Sequence, residues 1–211
     1  MQRQKNDAGH LILFTRWPQA GATKTRLIPA LGAEGAAHLQ RRMSETTFAA
    51  LRACCLATGS SLEVRVSGAS DTAVRQWLPG ADHYADQGAG DLGARLDRAI
   101  TEAFARHPGP VTVVGADCPA LMEKHLRAAL AALIAHDLVL GPATDGGYYL
   151  IGCNRPQPEL FTAMPWGTAR LLRETLARAT TLGLTHLLLE PLSDVDRPQD
   201  LAHLGHHPGA Q

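Results

Sequence analysis

Lys24 and Arg26 stand two residues apart in TRWPQAGATKTRLIPALG (15–32), directly after the apolar run LILF. The stretch is too rich in proline, glycine and basic residues for a strand or helix, and it suits a loop that holds an anion. An ammonium is a compact point charge and a guanidinium a planar fork, so together they fit a di- or triphosphate. Gly21 supplies a tight turn, and in an extended loop the two cations point the same way. A solvated basic loop is the plainer alternative. The P-loop pattern GxxxxGK[ST] ending on Lys24-Thr25 would need glycine at 18 and 23, where the chain has Pro18 and Thr23. The dinucleotide fingerprint GxGxxG is absent as well.

Carboxylates recur where apolar runs end. Asp117 follows VTVVG (111–115), and either binds Mg²⁺ or Mn²⁺, hard cations that prefer oxygen, or caps the next helix. In SDVDRPQD (193–200), Asp194 and Asp196 share a side if extended. One of them could meet Asp117 across a metal, or Asp196 could cap the helix that Pro198 begins. ATDGGYY (143–149) offers Asp145, Gly146 and Gly147, as a ligand approach or as ordinary hairpin chemistry. QGAGDLGARL (87–96) could let backbone groups at Gln87, Gly88 and Gly90 meet a base or ribose, with Asp91 as a helix N-cap. Trp166 is either a cap neighbour or a platform for a sugar or base. Lys24 and Asp145 are the candidate catalytic groups. The histidines form no metal-ligand spacing, there is no GxSxG elbow, and Cys118 lacks a nearby base, so it reads as a packed thiol.

The elements that must carry these residues alternate. Strands are expected at 11–16, 62–67, 111–115, 137–143, 148–153 and 184–190. Helices are expected at 33–58, 71–78, 91–107, 123–136, 168–183 and 197–205. Such alternation predicts a mainly parallel sheet covered on both faces. The short link between 137–143 and 148–153 predicts an antiparallel pair, hence a mixed sheet. In such sheets ligands bind beyond the carboxyl ends of the strands, where the clusters above fall. One domain over 11–205 is expected, with tails at 1–10 and 206–211.

The totals set the frame. At 211 residues, 45% hydrophobic and 19% charged, the chain can build a sizeable core. Twenty basic residues balance twenty acidic ones, which argues against a nucleic-acid partner and makes any anion site local. Cys54, Cys55, Cys118 and Cys153 form no CxxC pair and read as reduced, mostly buried thiols. The opening MQRQKNDAGH lacks a signal-peptide core and no apolar run spans a membrane, so a cytoplasmic protein is expected.

The segments FTRWPQAGATKTRL, QGAGDLGARL, GADCPAL, PATDGGYYLIG, PWGT and LSDVDRPQDL, in this order from about residue 11 to 204, resemble a bacterial glycosyltransferase-A-like family, the rSAM/selenodomain-associated transferase type. The resemblance implies a single-domain Rossmann-like α/β/α sandwich, the nucleotide-diphospho-sugar transferase fold. KTRL is similar to the basic motif of 2-phospholactate guanylyltransferases, and DVDRPQDL to the closing motif of molybdenum-cofactor guanylyltransferases. By that likeness Mg²⁺ or Mn²⁺ falls to Asp117 and to Asp194 or Asp196. The DxD of many glycosyltransferases is not intact, because Gly115 stands at its first position. The resemblance implies a metal-dependent glycosyltransferase using a nucleotide-sugar and a small-molecule acceptor. The alternative is a nucleotidyltransferase that joins an NTP to a small phosphorylated substrate and releases pyrophosphate.

Overall fold

The period-two alternation of side chains along β1 (His10–Arg16) sends Leu11 and Leu13 to one face of a sheet and Ile12 to the other, all three buried. A strand buried on both faces needs helices on both faces, and the computed structural model, which describes residues 8–205, has them. The helices are α1 (Ile28–Thr58), α2 (Asp71–Trp77), α3 (Leu92–Arg106), α4 (Glu123–Ala132) and α5 (Leu171–Thr181). The remaining strands are β2 (Ser61–Ser67), β3 (His83–Asp86), β4 (Val111–Gly115), β5 (Leu138–Pro142), β6 (Tyr148–Cys153) and β7 (His186–Leu188). Residues of α1, α2 and α4 pack with Leu11, Leu13, Val64 and Val114 on one side. Residues of α3 and α5 pack with Ile12, Val113, Leu140 and Ile151 on the other.

The sheet order is β3-β2-β1-β4-β6-β5-β7. β6 runs antiparallel to β4 and β5, and the remaining pairs are parallel, which is the mixed, mainly parallel α/β/α sandwich expected. Its reversal has a use: the start of β6 lies at the same edge of the sheet as the ends of β1 and β4. Tyr148 and Tyr149 therefore join Arg16 and Gly115 around one cavity.

Several boundaries differ from the sequence reading. His10 is fully buried in β1, paired with Ser61 and Val111, so the ordered strand begins inside the expected tail. Ala8 and Gly9 precede it outside any element, Gly9 O accepting from Ser61 N, and the rest of the expected tails, 1–7 and 206–211, lies outside the described residues. HYAD, where the sequence shows no element, is the edge strand β3, held to β2 and anchored by buried Tyr84, whose hydroxyl donates to Leu78 O at 2.7 Å. Pro198–Gly205 forms a 3-10 helix, not an α-helix.

A smaller cluster matters most for the site. Leu27, Ala36, Leu39, Met43 and Val195 are packed together with Leu201 and Leu204. It fastens the loop after β1 to the chain after β7. Full burial of Leu27 and Val195 contributes roughly 1.5–3 kcal/mol each.

Candidate active site

The loop after β1 is folded, not extended. Trp17–Thr23 makes turns closed by bonds to Gln19 O, Lys24 takes a left-handed backbone (φ 48°, ψ 41°), and Thr25–Leu27 forms a 3-10 turn into α1. A left-handed lysine is strained, and the strain is held by the burial of Leu27 on the next turn. The result aims Lys24 inward. Its side chain is 4% exposed, and Nζ lies 2.7 Å from Asp117 Oδ1 and 3.8 Å from Asp196 Oδ1 and donates to Val195 O at 2.6 Å. Arg26 stays exposed and pairs with the other oxygen of Asp196 at 2.5 Å. The two cations do converge, on Asp196, by a route other than strand alternation.

Asp117 caps no helix. The N-cap of α4 is Met122, five residues on, while the Asp117 carboxylate is 56% exposed beside Lys24. Backbone ties bring the two acidic segments together: Val195 N donates to Asp117 O at 2.9 Å. Asp196 does not cap the last helix either. Asp200, the third residue of that helix, instead reaches back to accept from the backbone N–H groups of Asp196 and Arg197 just before it. Asp194 is half-buried, and its carboxyl is pushed up by burial and then by the charges of Asp145, Asp200 and Asp117.

Asp145 is exposed on the β5–β6 turn, accepts from Gly147 N at 2.7 Å and lies outside the cavity lining. The Gly146 position is set by packing: φ is +90°, and a Cβ there would lie 2.4 Å from Ala169 O. Gly147 sits in the turn closed by Asp145. Gly21 (φ +77°) turns the first loop outside the cavity, where Ala22 lines it.

The segment QGAGDLG borders the cavity through Gln87, Gly90 and Asp91. Asp91 is the expected N-cap of α3, accepting from Ala94 N at 2.9 Å. Gln87 is buried and braces β1 to β2 through Thr15 O and Arg65 O. Gly88 lies back from the lining, against Arg98, which clasps the loop through Gln87 O and Ala89 O. Trp166 lines the cavity, crosses Tyr148 edge to face at 6.3 Å and leans on Gly93 at the start of α3. Its indole N–H finds no partner among the described residues.

The cavity holds about 710 Å³ and lies beyond the carboxyl ends of β1 and β4. Arg16, Lys24, Arg26 and Arg95 line it with Asp91, Asp117 and Asp196, so its polar end carries charges of both signs. Sequence reasoning passed over Arg16, Arg95, Gln40 and Tyr148. Arg16 is the last residue of β1 and could have been found by asking what a strand end presents. Gln40 and Arg95 lie in helices whose facing only the packing fixes. Burial pushes the Cys118 thiol up, and the carboxylates around it add to the shift, so it stays a protonated packing group.

Among the described residues, no three His, Cys, Asp or Glu side chains form a ready-made metal cage. A Mg²⁺ or Mn²⁺ bound with a nucleotide needs only one or two carboxylates, the phosphates and water supplying the rest. Asp117 offers one such carboxylate to the cavity, while half-buried Asp194 lies outside its lining, near enough for the Asp117 charge to act on it.

The chain is similar to a protein of Desulfovibrio desulfuricans G20 described as a "putative nucleotide-diphospho-sugar transferase". The two are 30% identical over 94% of this chain and 86% of that one, with a TM-score of 0.86. It shares its fold with the 4-diphosphocytidyl-2C-methyl-D-erythritol synthase of Anaerococcus prevotii DSM 20548 (8% identity, 97% and 100% of the chains, TM-score 0.62). It does so too with the inositol-1-phosphate CTP transferase of T. maritima (13% identity, 92% and 91%, TM-score 0.56). No curated protein matches it in sequence. Residues 50–168 match the family described as "Uncharacterized protein conserved in bacteria (DUF2064)", and with more than half its length in that match the chain belongs to this family, on the nucleotide-diphospho-sugar transferase fold.

Proposed function

We propose that the protein is a transferase that binds a nucleotide-linked substrate and transfers the sugar of a nucleotide-diphospho-sugar to a small-molecule acceptor. The observation that carries this reading is Lys24, a nearly buried ammonium between Asp117 and Asp196 at the floor of a cavity also lined by Arg16 and Arg26. The similarity to the Desulfovibrio protein over almost the whole chain supports it. The diphosphate would lie against Lys24 and Arg26, whose fixed charges stabilise the negative charge that grows on the departing nucleotide. Phosphate oxygens would then replace the carboxylates around Lys24, freeing Asp117.

Asp117 and Asp194 would hold Mg²⁺ or Mn²⁺, which as a Lewis acid supplies further stabilisation of the leaving diphosphate. Asp194 is preferred to Asp196 for this, because Arg26 and Lys24 already neutralise Asp196. Asp145, exposed on the β5–β6 turn with its charge acting on Asp194, is the candidate to orient the acceptor and take its proton. The membership implied by the sequence motifs, the rSAM/selenodomain-associated type, is part of the same proposal.

A second reading, nucleotidyl transfer, draws on the number of cations. Arg16 and Arg95 add to Lys24 and Arg26 and would suit a triphosphate. The two separate by product. Incubation with NDP-sugars and NTPs plus Mn²⁺ and candidate acceptors should release a nucleoside diphosphate in the first case. Pyrophosphate release that depends on a phosphorylated substrate would favour the second, and turnover of neither class would contradict both.

A further inference from the structure

Gln87 carries an orientation that bracing alone does not use. It is 3% exposed, just beyond β3, and its Nε2 donates to Thr15 O at 2.7 Å and to Arg65 O at 3.3 Å. Backbone carbonyls only accept, so both bonds require the NH₂ on that side, and the usual ambiguity between the two ends of an amide is removed. Oε1 must then face the opposite way. No donor among the described residues reaches it. Nor is it one of their sealed, partnerless side-chain atoms, so it keeps an opening that another molecule can reach. The open space that Gln87 lines is the cavity.

The loop cannot easily turn to satisfy this oxygen from within. Gln87 O already accepts from Arg98 Nη1 at 2.8 Å, and Gly88 N donates to Asp86 Oδ1 at 2.6 Å. A buried amide held by two strand ends is a preorganised acceptor, and a ligand group without a matching N–H leaves it unpaired at a cost. Its place is informative too. Gln87 bridges the ends of β1 and β2, whereas Lys24 and Asp117 meet beyond β1 and β4. A nucleotide with its phosphates on Lys24 and Arg26 would turn its base toward β2, where Gln87 stands.

Resting on the nucleotide reading of the site, we propose that Gln87 is a specificity-determining residue for the base, its Oε1 accepting a hydrogen bond from an N–H on the base's pairing edge. The test compares each of UDP, GDP, ADP and CDP, with Mg²⁺, against its analogue blocked at that edge: N3-methyl-UDP, N1-methyl-GDP, N6,N6-dimethyl-ADP and N4,N4-dimethyl-CDP. Calorimetric titration of wild type should show the tightest of the four losing tenfold or more on methylation. In Gln87→Met, which keeps the bulk and removes the acceptor, the unblocked nucleotide should weaken until the ratio falls within about threefold. A wild-type ratio within twofold overturns the proposal, as does a ratio unchanged in folded Gln87→Met, which would make the methyl effect steric. Should Gln87→Met fail to fold, the wild-type ratio decides. Binding of none of the four would contradict the nucleotide reading itself, a different result from equal binding of each blocked pair.

Discussion

Lys24 concentrates the chemistry of the site in one side chain. Its left-handed backbone costs about 1–2 kcal/mol, offset by the burial of Leu27 next to it and by three oxygens around its ammonium. Lys24→Met should keep the packing, leave Asp117 without its cation while Arg26 still holds Asp196, and lower turnover about 100-fold, measured as nucleoside diphosphate release. Asp117→Asn tests the other half of the pair: it should abolish the effect of Mn²⁺ on nucleotide affinity while leaving the fold intact, since Asp117 is more than half exposed. These residues were legible in the sequence by type and by their place after apolar runs. Their pairing was not, because Lys24–Asp117 and Arg26–Asp196 join segments far apart in the chain. The exchange of roles between Asp196 and Asp200 was likewise hidden. Both precede or follow Pro198 closely, and only the folded turn shows which one accepts the backbone N–H groups.

At the scale of elements, close approach of helices to loops shapes the cavity. At Gly93 in α3 a Cβ would lie 2.3 Å from Phe161 O and 2.8 Å from Trp166 Nε1. Gly93→Ala should push α3 from the Trp166 wall, cost about 2 kcal/mol and lower the melting temperature by roughly 4–8 °C. Gly146→Ala should cost at least as much, because strain at φ +90° adds to its clash with Ala169. Most helices and strands could be read from periodicity, since β1 and β4 are built on apolar runs and α3 carries a regular buried stripe. β3 could not: its sequence is short and polar, and it is a strand because β2 offers it a partner. The last helix tightens to 3-10 geometry, which periodicity does not distinguish over eight residues.

The whole molecule divides its charges between two ends of the sheet. Opposite the cavity, at the start of β1 and β2, Glu63 is fully buried and bonded to His10, Arg65 and Arg106, with Glu102 completing the chain through Arg65. Burial alone would raise the Glu63 carboxyl, but the His10 and Arg65 contacts overcome it and bring it down to about 2 from 4.5. A carboxyl lowered in the folded state contributes stability above its unfolded value, and that contribution is lost as pH falls from about 4.5 toward 2. It amounts to about 3 kcal/mol. Urea unfolding at pH 7 and pH 3 should show this loss, and Glu63→Gln should reduce the difference. The same variant should destabilise the protein at pH 7 by about 3–5 kcal/mol, because Arg65 and Arg106 lose their shared partner. That network supports the end of the sheet away from the chemistry.

The cavity beyond β1 and β4 should hold the diphosphate of a nucleotide between Lys24, Arg26 and the Asp117 side. Titration of nucleoside diphosphates with Mn²⁺ into wild type and Lys24→Met addresses it most directly. Saturable one-site binding of at least one nucleotide, weakened tenfold or more by Lys24→Met, is the predicted result. A nucleotide that binds wild type and Lys24→Met alike, or no saturable binding to wild type at all, would contradict it.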